Sequence, residues 1–282
     1  MFKHCFVSVF LASITAFPVS AQSFIGEGFS SAVEAVQEGI DLIWPDDLNV
    51  KGLSARLGFG IGFTPDYEGS DNYRFRIIPL IDIRYKSRLQ LNGSRLSYVA
   101  YRKGPLEVGP IVNMKFGRNE RQNSVLVGFG NISDTVQMGV FVRYRTQEAL
   151  VSVEYRHGLG ANLGGSVQLT VGHGIYKAGK FSAMLAARAR WLSRRAMQTN
   201  YGLTKTQSEA SALNLPVYTT GVGFSELNVN LVGSYEMSDQ IRLLGLVSVG
   251  TLTGYAAKSP IVTEGRGTKT QMLTGVGMAI AF

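Results

Sequence analysis

Three groups of residues in this 282-residue sequence have types that could do chemistry: two of its three histidines, an acidic loop and a row of arginines. His157 stands beside Gly158, and His173 lies between Gly172 and Gly174. A hydrolytic site needs a nucleophile, a base and an orienting acid within hydrogen-bond reach. Neither histidine has a Gly-x-Ser-x-Gly context or a paired acid in the sequence, so the chain reads as a non-enzyme with no catalytic residue and no cofactor. Asp66, Glu68 and Asp71 could gather around a divalent cation, or bridge lipopolysaccharide through one. The plainer reading of that stretch is a turn built on Pro65, Gly69 and Asn72, and no metal site is assigned. The third group is the most regular. Arg56, Arg74, Arg76, Arg84, Arg143, Arg145, Arg156, Arg188 and Arg190 all fall on alternate positions, opposite apolar residues.

That alternation defines the elements that carry them. Leu53, Ala55, Leu57, Phe59, Ile61 and Phe63 share one face, while Ser54, Arg56, Gly58, Gly60 and Gly62 share the other. Tyr73, Phe75, Ile77, Pro79, Ile81, Ile83 and Tyr85 repeat the pattern against Arg74, Arg76, Ile78, Leu80, Asp82 and Arg84. A period of two is a strand. Strands of soluble sandwiches average about five or six residues, whereas about 9 to 11 tilted residues cross a bilayer, and these two are long enough to cross. An arginine facing lipid at mid-membrane costs roughly 2 to 4 kcal/mol, so the arginine face looks into a lumen and the apolar face looks outward.

The same alternation recurs to the carboxy terminus. Long connections at 64–72, 118–133, 157–164, 192–221 and 255–268 alternate with tight turns near Ser87, Lys103-Gly104-Pro105, Gln147-Glu148, Ala178-Gly179 and Ser238-Asp239. The order is kept only if the chain also reverses at Asn92-Gly93, a strong hairpin signal. The expected fold is all-β: an antiparallel transmembrane β-barrel of twelve strands, within a range of ten to fourteen, over residues 51–282. Tyr85, Tyr144, Tyr155, Trp191 and Tyr235 end their strands and suit interfacial girdles.

Residues 1–21 carry Lys3, an apolar run from Cys5 to Phe17 and the small residues Ser20 and Ala21, which is the pattern of a secretory signal peptide cleaved after Ala21. Cleavage removes the single cysteine, and with it any disulfide or thiol chemistry. It also removes Lys3, taking the formal charge from +8 to +7. A basic balance can point to nucleic acid, but here the cations are spread through strands and turns, so no nucleic-acid partner is expected. Residues 22–50 space Ala32, Val33, Val36, Ile40 and Ile43 loosely as in a helix ended by Trp44-Pro45, and read as a periplasmic lead-in, a short helix or a flexible leader.

Three stretches carry a resemblance. Gly58-Phe59-Gly60 leads into Pro65-Asp66-Tyr67-Glu68-Gly69-Ser70 and then Pro79-Leu80-Ile81-Asp82; later come Met197-Gln198-Thr199-Asn200-Tyr201-Gly202-Leu203-Thr204 and Ser259-Pro260-Ile261-Val262. Together these resemble the MipA/OmpV family of outer-membrane proteins across essentially the whole mature chain. One departure is Tyr201, where the family often has Phe. The resemblance implies an outer-membrane barrel of a Gram-negative bacterium, in contact with membrane lipid and lipopolysaccharide. It implies a scaffold that holds a lytic transglycosylase and links it to a peptidoglycan synthase. The ending Met278-Ala279-Ile280-Ala281-Phe282 is similar to the signal read by the barrel insertion machinery, with Met278, Ile280 and Phe282 on one face.

The function expected is therefore a non-enzymatic envelope scaffold, and the alternative is a small-solute, anion-preferring channel. The arginines serve either reading. They could line an open pore, or pair with Asp82, Glu107, Glu154, Glu226 and Glu236 and close it. The loop 192–221, with Thr204 placed to cap a short helix, could fold inward as a plug.

Overall fold

The computed structural model describes residues 33–35, 51–161, 163–265 and 267–282. The alternating runs become strands β1 (Leu53–Pro65), β2 (Tyr73–Tyr85), β3 (Leu89–Asn92), β4 (Arg95–Tyr98), β5 (Tyr101–Lys103), β6 (Leu106–Lys115), β7 (Thr135–Arg145), β8 (Ala149–Gly158), β9 (Gly165–Ala178), β10 (Phe181–Leu192), β11 (Gly223–Glu236), β12 (Ile241–Leu252) and β13 (Thr270–Ala281). Each pairs antiparallel with its neighbours. β1 closes on β13 from Arg56↔Ala281 to Phe63↔Thr274.

Thirteen segments make twelve staves, because β4 and β5 are one strand broken by a bulge. β4 meets β6 at Arg95↔Asn113 and β5 meets it at Tyr101↔Val108, a slip of one residue. Val99 keeps the inward side of Arg95 and Ser97 and packs on Ile111 and Phe141, and the slip after it turns Tyr101 outward. The reversal at Asn92-Gly93 is present, with Gly93 at φ 56° and its N–H donating to the Ile81 carbonyl at 2.8 Å. The result is the closed twelve-strand barrel expected.

Closure satisfies every strand edge inside the sheet, which lets a chain cross hydrocarbon without a helix. Outward side chains form an apolar belt: Phe75, Ile77, Phe59 and Val276 are 74%, 73%, 60% and 70% exposed. Tyr85, Tyr144 and Tyr235 point outward at the periplasmic ends of their strands, and Tyr155 does so at the other end.

Long connections gather at the extracellular mouth. They carry helices α1 (Arg194–Tyr201), α2 (Lys205–Ala210), α3 (Gly254–Ala257) and α4 (Pro260–Thr263). Ser193 caps α1, and Thr204 caps α2 in a capping box with Gln207. Under these helices lies an apolar cap core of Tyr67, Leu126, Phe129, Leu203, Leu215 and Ile261. So the loop 192–221 covers the mouth.

What fills the middle of the barrel comes from elsewhere. Residues 33–35 form a helical turn inside it, and Val33 and Ala35 are buried against Ile78, Leu80, Val232, Leu246 and Leu273. These three residues lie in the lumen, whereas the sequence placed all of 22–50 as a periplasmic lead-in. The apolar side chain of Val33 and the methyl of Ala35 find there the apolar wall they would lack in water. The signal peptide 1–21 and the rest of the lead-in fall outside the described residues.

Candidate functional site

The interior has two unlike walls. Midway along β1, β2 and β11 to β13 the inward face is glycine and aliphatic, with charged residues only toward the strand ends. Gly60 pairs with Gly277 and Gly62 with Gly275, opposite Ile78, Leu80, Leu246 and Leu273. A Cβ on Gly62 would lie 2.6 Å from Ile78 Cδ1, and one on Gly277 would lie 2.9 Å from Leu80 Cδ1. The glycines make room for the large residues beside them.

The other wall is ionic. Arg56 and Arg84 converge on Asp82, with Arg56 Nη1 at 2.9 Å and Arg84 Nε at 3.1 Å from Oδ2, and Gln90 donates to Oδ1 at 2.9 Å. Glu154 accepts from Arg95 at 2.8 Å and from Arg156 Nε at 3.1 Å, with Arg143 Nη2 at 3.8 Å. Glu107 takes Arg102 at 2.7 Å and Arg143 at 3.9 Å. Glu226 pairs with Arg190 and, at 3.3 Å, with Arg188. Arg143 is 2% exposed, Arg188 4%, Arg76 5% and Arg145 6%. Guanidinium groups lining a wet pore would be open to water, and these are covered by their partners. Arg74 sits at the rim, ion-paired to Asp66 and donating to the Gln122 carbonyl at 2.7 Å.

Four of the five acids named from the sequence pair with this arginine row. Glu236 instead pairs with Arg242 at the periplasmic end. Sequence reasoning missed Arg95, because β4 is too short to show alternation, and it missed Glu34. One carboxylate oxygen of Glu34 lies 3.2 Å from Arg156 Nη1; the other lies 3.8 Å from Arg188 Nη1 and 3.8 Å from Arg190 Nη2. Burial opposes its charge, but Arg190, Arg156, Arg188 and Lys115 outweigh that and hold its carboxyl below the usual range.

The loop motif joins this network to the cap. Pro65, Asp66, Tyr67, Gly69 and Ser70 are all buried. Tyr67 enters the cap core, Asp66 accepts from Asn123 at 3.1 Å, and the Gly69 N–H donates to Gln271 at 3.1 Å. Gly69 has φ +103°, and a Cβ there would lie 2.6 Å from Val262 Cγ2, so the turn admits only glycine. Glu68 points down to Arg190 at 3.0 Å and accepts from the Tyr201 hydroxyl. Burial works against its ionisation, yet Arg190, Lys115 and Tyr201 bring its pKa down to about 2. Tyr201, the departure from the family's Phe, thus ties α1 to the barrel network. Asp71 is exposed, and Asp66 and Glu68 are engaged with arginines rather than gathered around one point.

The histidines lie outside. His157 and His173 are exposed on the outer face, at opposite ends of the barrel, opposite Met138 and Ala149 respectively. Tyr155 Oη lies 3.5 Å from His157 Nδ1. Met278 and Ile280 share the outward face with Phe59 and Leu57 across the closing seam, and Phe282 is 76% exposed with its N–H on the Ala55 carbonyl at 2.8 Å.

A closed antiparallel barrel with an apolar outer belt and an ionic interior is a transmembrane β-barrel of the outer-membrane class, its outer face in contact with lipid. The family model described as MltA-interacting protein MipA matches residues 57–282, and the chain belongs to that family. Among solved structures it is similar to the KdgM porin, at 11% identity and TM-score 0.39 over 80% of this chain and 99% of that one. It is also similar to an outer membrane channel from Pseudomonas putida F1, at 13% identity and TM-score 0.43 over 85% and 100%. The NanC porin is matched at 10% identity and TM-score 0.40 over 81% and 99%. No curated protein matches the chain.

Proposed function

We propose that this barrel is a closed, non-enzymatic platform in the outer membrane that holds a lytic transglycosylase at its periplasmic face and links it to a peptidoglycan synthase. The observation that carries the reading is the packed interior, with arginines 2 to 7% exposed beneath a cap of four helices. The family description supplies the partner. The periplasmic rim supplies a surface for it: Lys51, Lys86, Lys103, Lys177 and Lys180 are exposed there against Glu148 and Asp239. A basic rim steers acidic surfaces toward it, with a strong salt dependence. The anion-channel alternative needs wetted arginines, and the packing gives it no support. Export through the periplasm and insertion by machinery that reads Met278, Ile280 and Phe282 complete the reading, as does contact of the outer face with lipopolysaccharide.

The test is retention of peptidoglycan enzymes on the tagged, folded barrel from detergent-solubilised membranes. Retention of a lytic transglycosylase that falls at least tenfold when Lys103 and Lys180 are both changed to Glu supports the platform. Enzymes absent from the wild-type eluate would sink it.

A further inference from the structure

The belt that faces lipid is indented on its periplasmic half. Along β11 the outward residues are Leu227, Val229, Leu231, Gly233 and Tyr235, and along β12 they are Leu243, Gly245, Val247 and Val249. Gly233 and Gly245 pair with each other, close to the periplasmic ends of the two strands. Over them runs a groove in two overlapping parts of about 580 and 530 Å³. Tyr235, Leu243 and Met278 wall the first part toward the periplasm, and Leu231, Val247 and Thr274 wall the second on the opposite side. Phe181 stands at one end, and Val276 with Ile61 at the other.

The lumen glycines leave room for large neighbours of the same chain. These two do not. A Cβ on Gly245 would meet nothing within 4 Å, and one on Gly233 would meet only the Phe181 ring at 3.6 Å, an ordinary contact. Packing among the described residues therefore does not demand glycine at either place, although glycine weakens a strand. Glycine kept in such a setting marks backbone that another molecule approaches closely. On the outer face of a membrane barrel that molecule is apolar.

The rim below the groove offers partners for a headgroup. The Glu236 N–H donates to the Lys180 carbonyl at 2.9 Å, which sets the lysine turn beside Tyr235 and Phe181. Lys177 and Lys180 are exposed and have no ion pair among the described residues. On the turns to either side Glu148 and Asp239 are exposed, while Glu236 is taken by Arg242. Lysines flanked by acids suit a headgroup that carries both a phosphate and an ammonium.

We propose that this groove binds one zwitterionic aminophospholipid of the periplasmic leaflet, with an acyl chain over Gly233 and Gly245 and the phosphate at Lys177 and Lys180. The site rests on the outer-membrane class alone and stands whether or not the barrel holds a periplasmic partner.

The experiment is native mass spectrometry of the full folded barrel released from detergent micelles that contain phosphatidylethanolamine. It compares wild type, Gly245→Leu, the double variant Lys177→Gln/Lys180→Gln and, as a control at an exposed outward position on β7, Val140→Leu. Folding of each is read from its heat-shift on a gel. Wild type and Val140→Leu are expected to keep one phospholipid. Gly245→Leu, whose side chain fills the groove, is expected to lower the retained fraction at least tenfold, and the lysine variant at least threefold. Gly245→Leu should fold at least as well as wild type, since it removes a strand glycine; if it does not fold, Gly245→Val replaces it with the same expectation. Retention that is unchanged in the groove variant or in the lysine variant overturns the proposal. So does a two-barrel species in wild type that Gly245→Leu converts to single barrels, because the groove would then belong to a second copy. Phosphatidylglycerol kept as well as phosphatidylethanolamine also overturns it, because the acids of the rim would then play no part.

Discussion

The two walls of the lumen solve the same problem by opposite means. The wall from β11 through β13 to β2 fills its share of the interior with Val232, Leu246, Leu273, Ile78 and Leu80, set against glycines. The wall from β6 to β10, joined by Arg95 of β4 and Glu226 near the start of β11, fills its share with arginines and glutamates that neutralise one another. Residues 33–35 read both: Val33 and Ala35 meet the aliphatic side and Glu34 meets the ionic side. An aliphatic wall tolerates loss of a group, because the neighbours relax and nothing is left charged. An ionic wall does not, because removing one partner strands the other in a low-dielectric interior. Complementarity to both walls fixes how the turn is seated, which neither wall alone could do.

The contrast is open to direct attack. Arg190 sits between Glu226, Glu68 and Glu34, so Arg190→Gln should lower stability by about 3 to 5 kcal/mol, read as a fall in the urea midpoint of the refolded barrel. A shift under about 1 kcal/mol would mean the ionic wall is wet and screened. On the other wall Leu246→Ala enlarges a cavity of about 40 Å³ that Leu246 already lines with Leu80 and Ala35. Its cost should be smaller, about 2 to 3 kcal/mol. Equal costs would erase the distinction between the walls.

Acid should act on one wall only. Glu68 has its pKa lowered from 4.5 to about 2, and Glu34 is lowered as well. A depressed carboxylate stabilises the fold above its unfolded pKa and loses that contribution as pH falls through the folded value. Stability read from the urea midpoint should therefore hold from pH 7 to 5 and fall between about 4.5 and 2, by about 3 kcal/mol for a carboxylate held this way. Leu246→Ala should keep this slope and Arg190→Gln should flatten it; a slope unchanged by Arg190→Gln would detach the acid response from the ionic wall.

Much of the barrel was legible because a strand of period two writes its inside and outside into alternate residues, as in Leu53 to Phe63 and Tyr73 to Tyr85. The twelve-strand order hung on Asn92-Gly93, whose turn chemistry is local. Less was legible where the information is not local. The bulge at Val99 and Ala100 has no composition signal, since any residue can be bulged when a partner strand asks for it. Arg95 was missed because four residues are too few to show a period. Residues 33–35 look like an ordinary amphipathic turn, and only the two walls far along the chain make Glu34 a lumen residue. The loop motif at Pro65 to Ser70 was legible as a signature, while its role in joining Glu68 to Tyr201 depends on contacts 133 residues apart.

A filled lumen passes no ions, so the decisive measurement is single-channel recording of the refolded wild-type barrel in a planar bilayer at molar salt. A heat-shift gel on the same sample establishes that the barrel is folded. The bilayer should stay silent at neutral pH. Steady, anion-selective openings of the wild-type protein would contradict it.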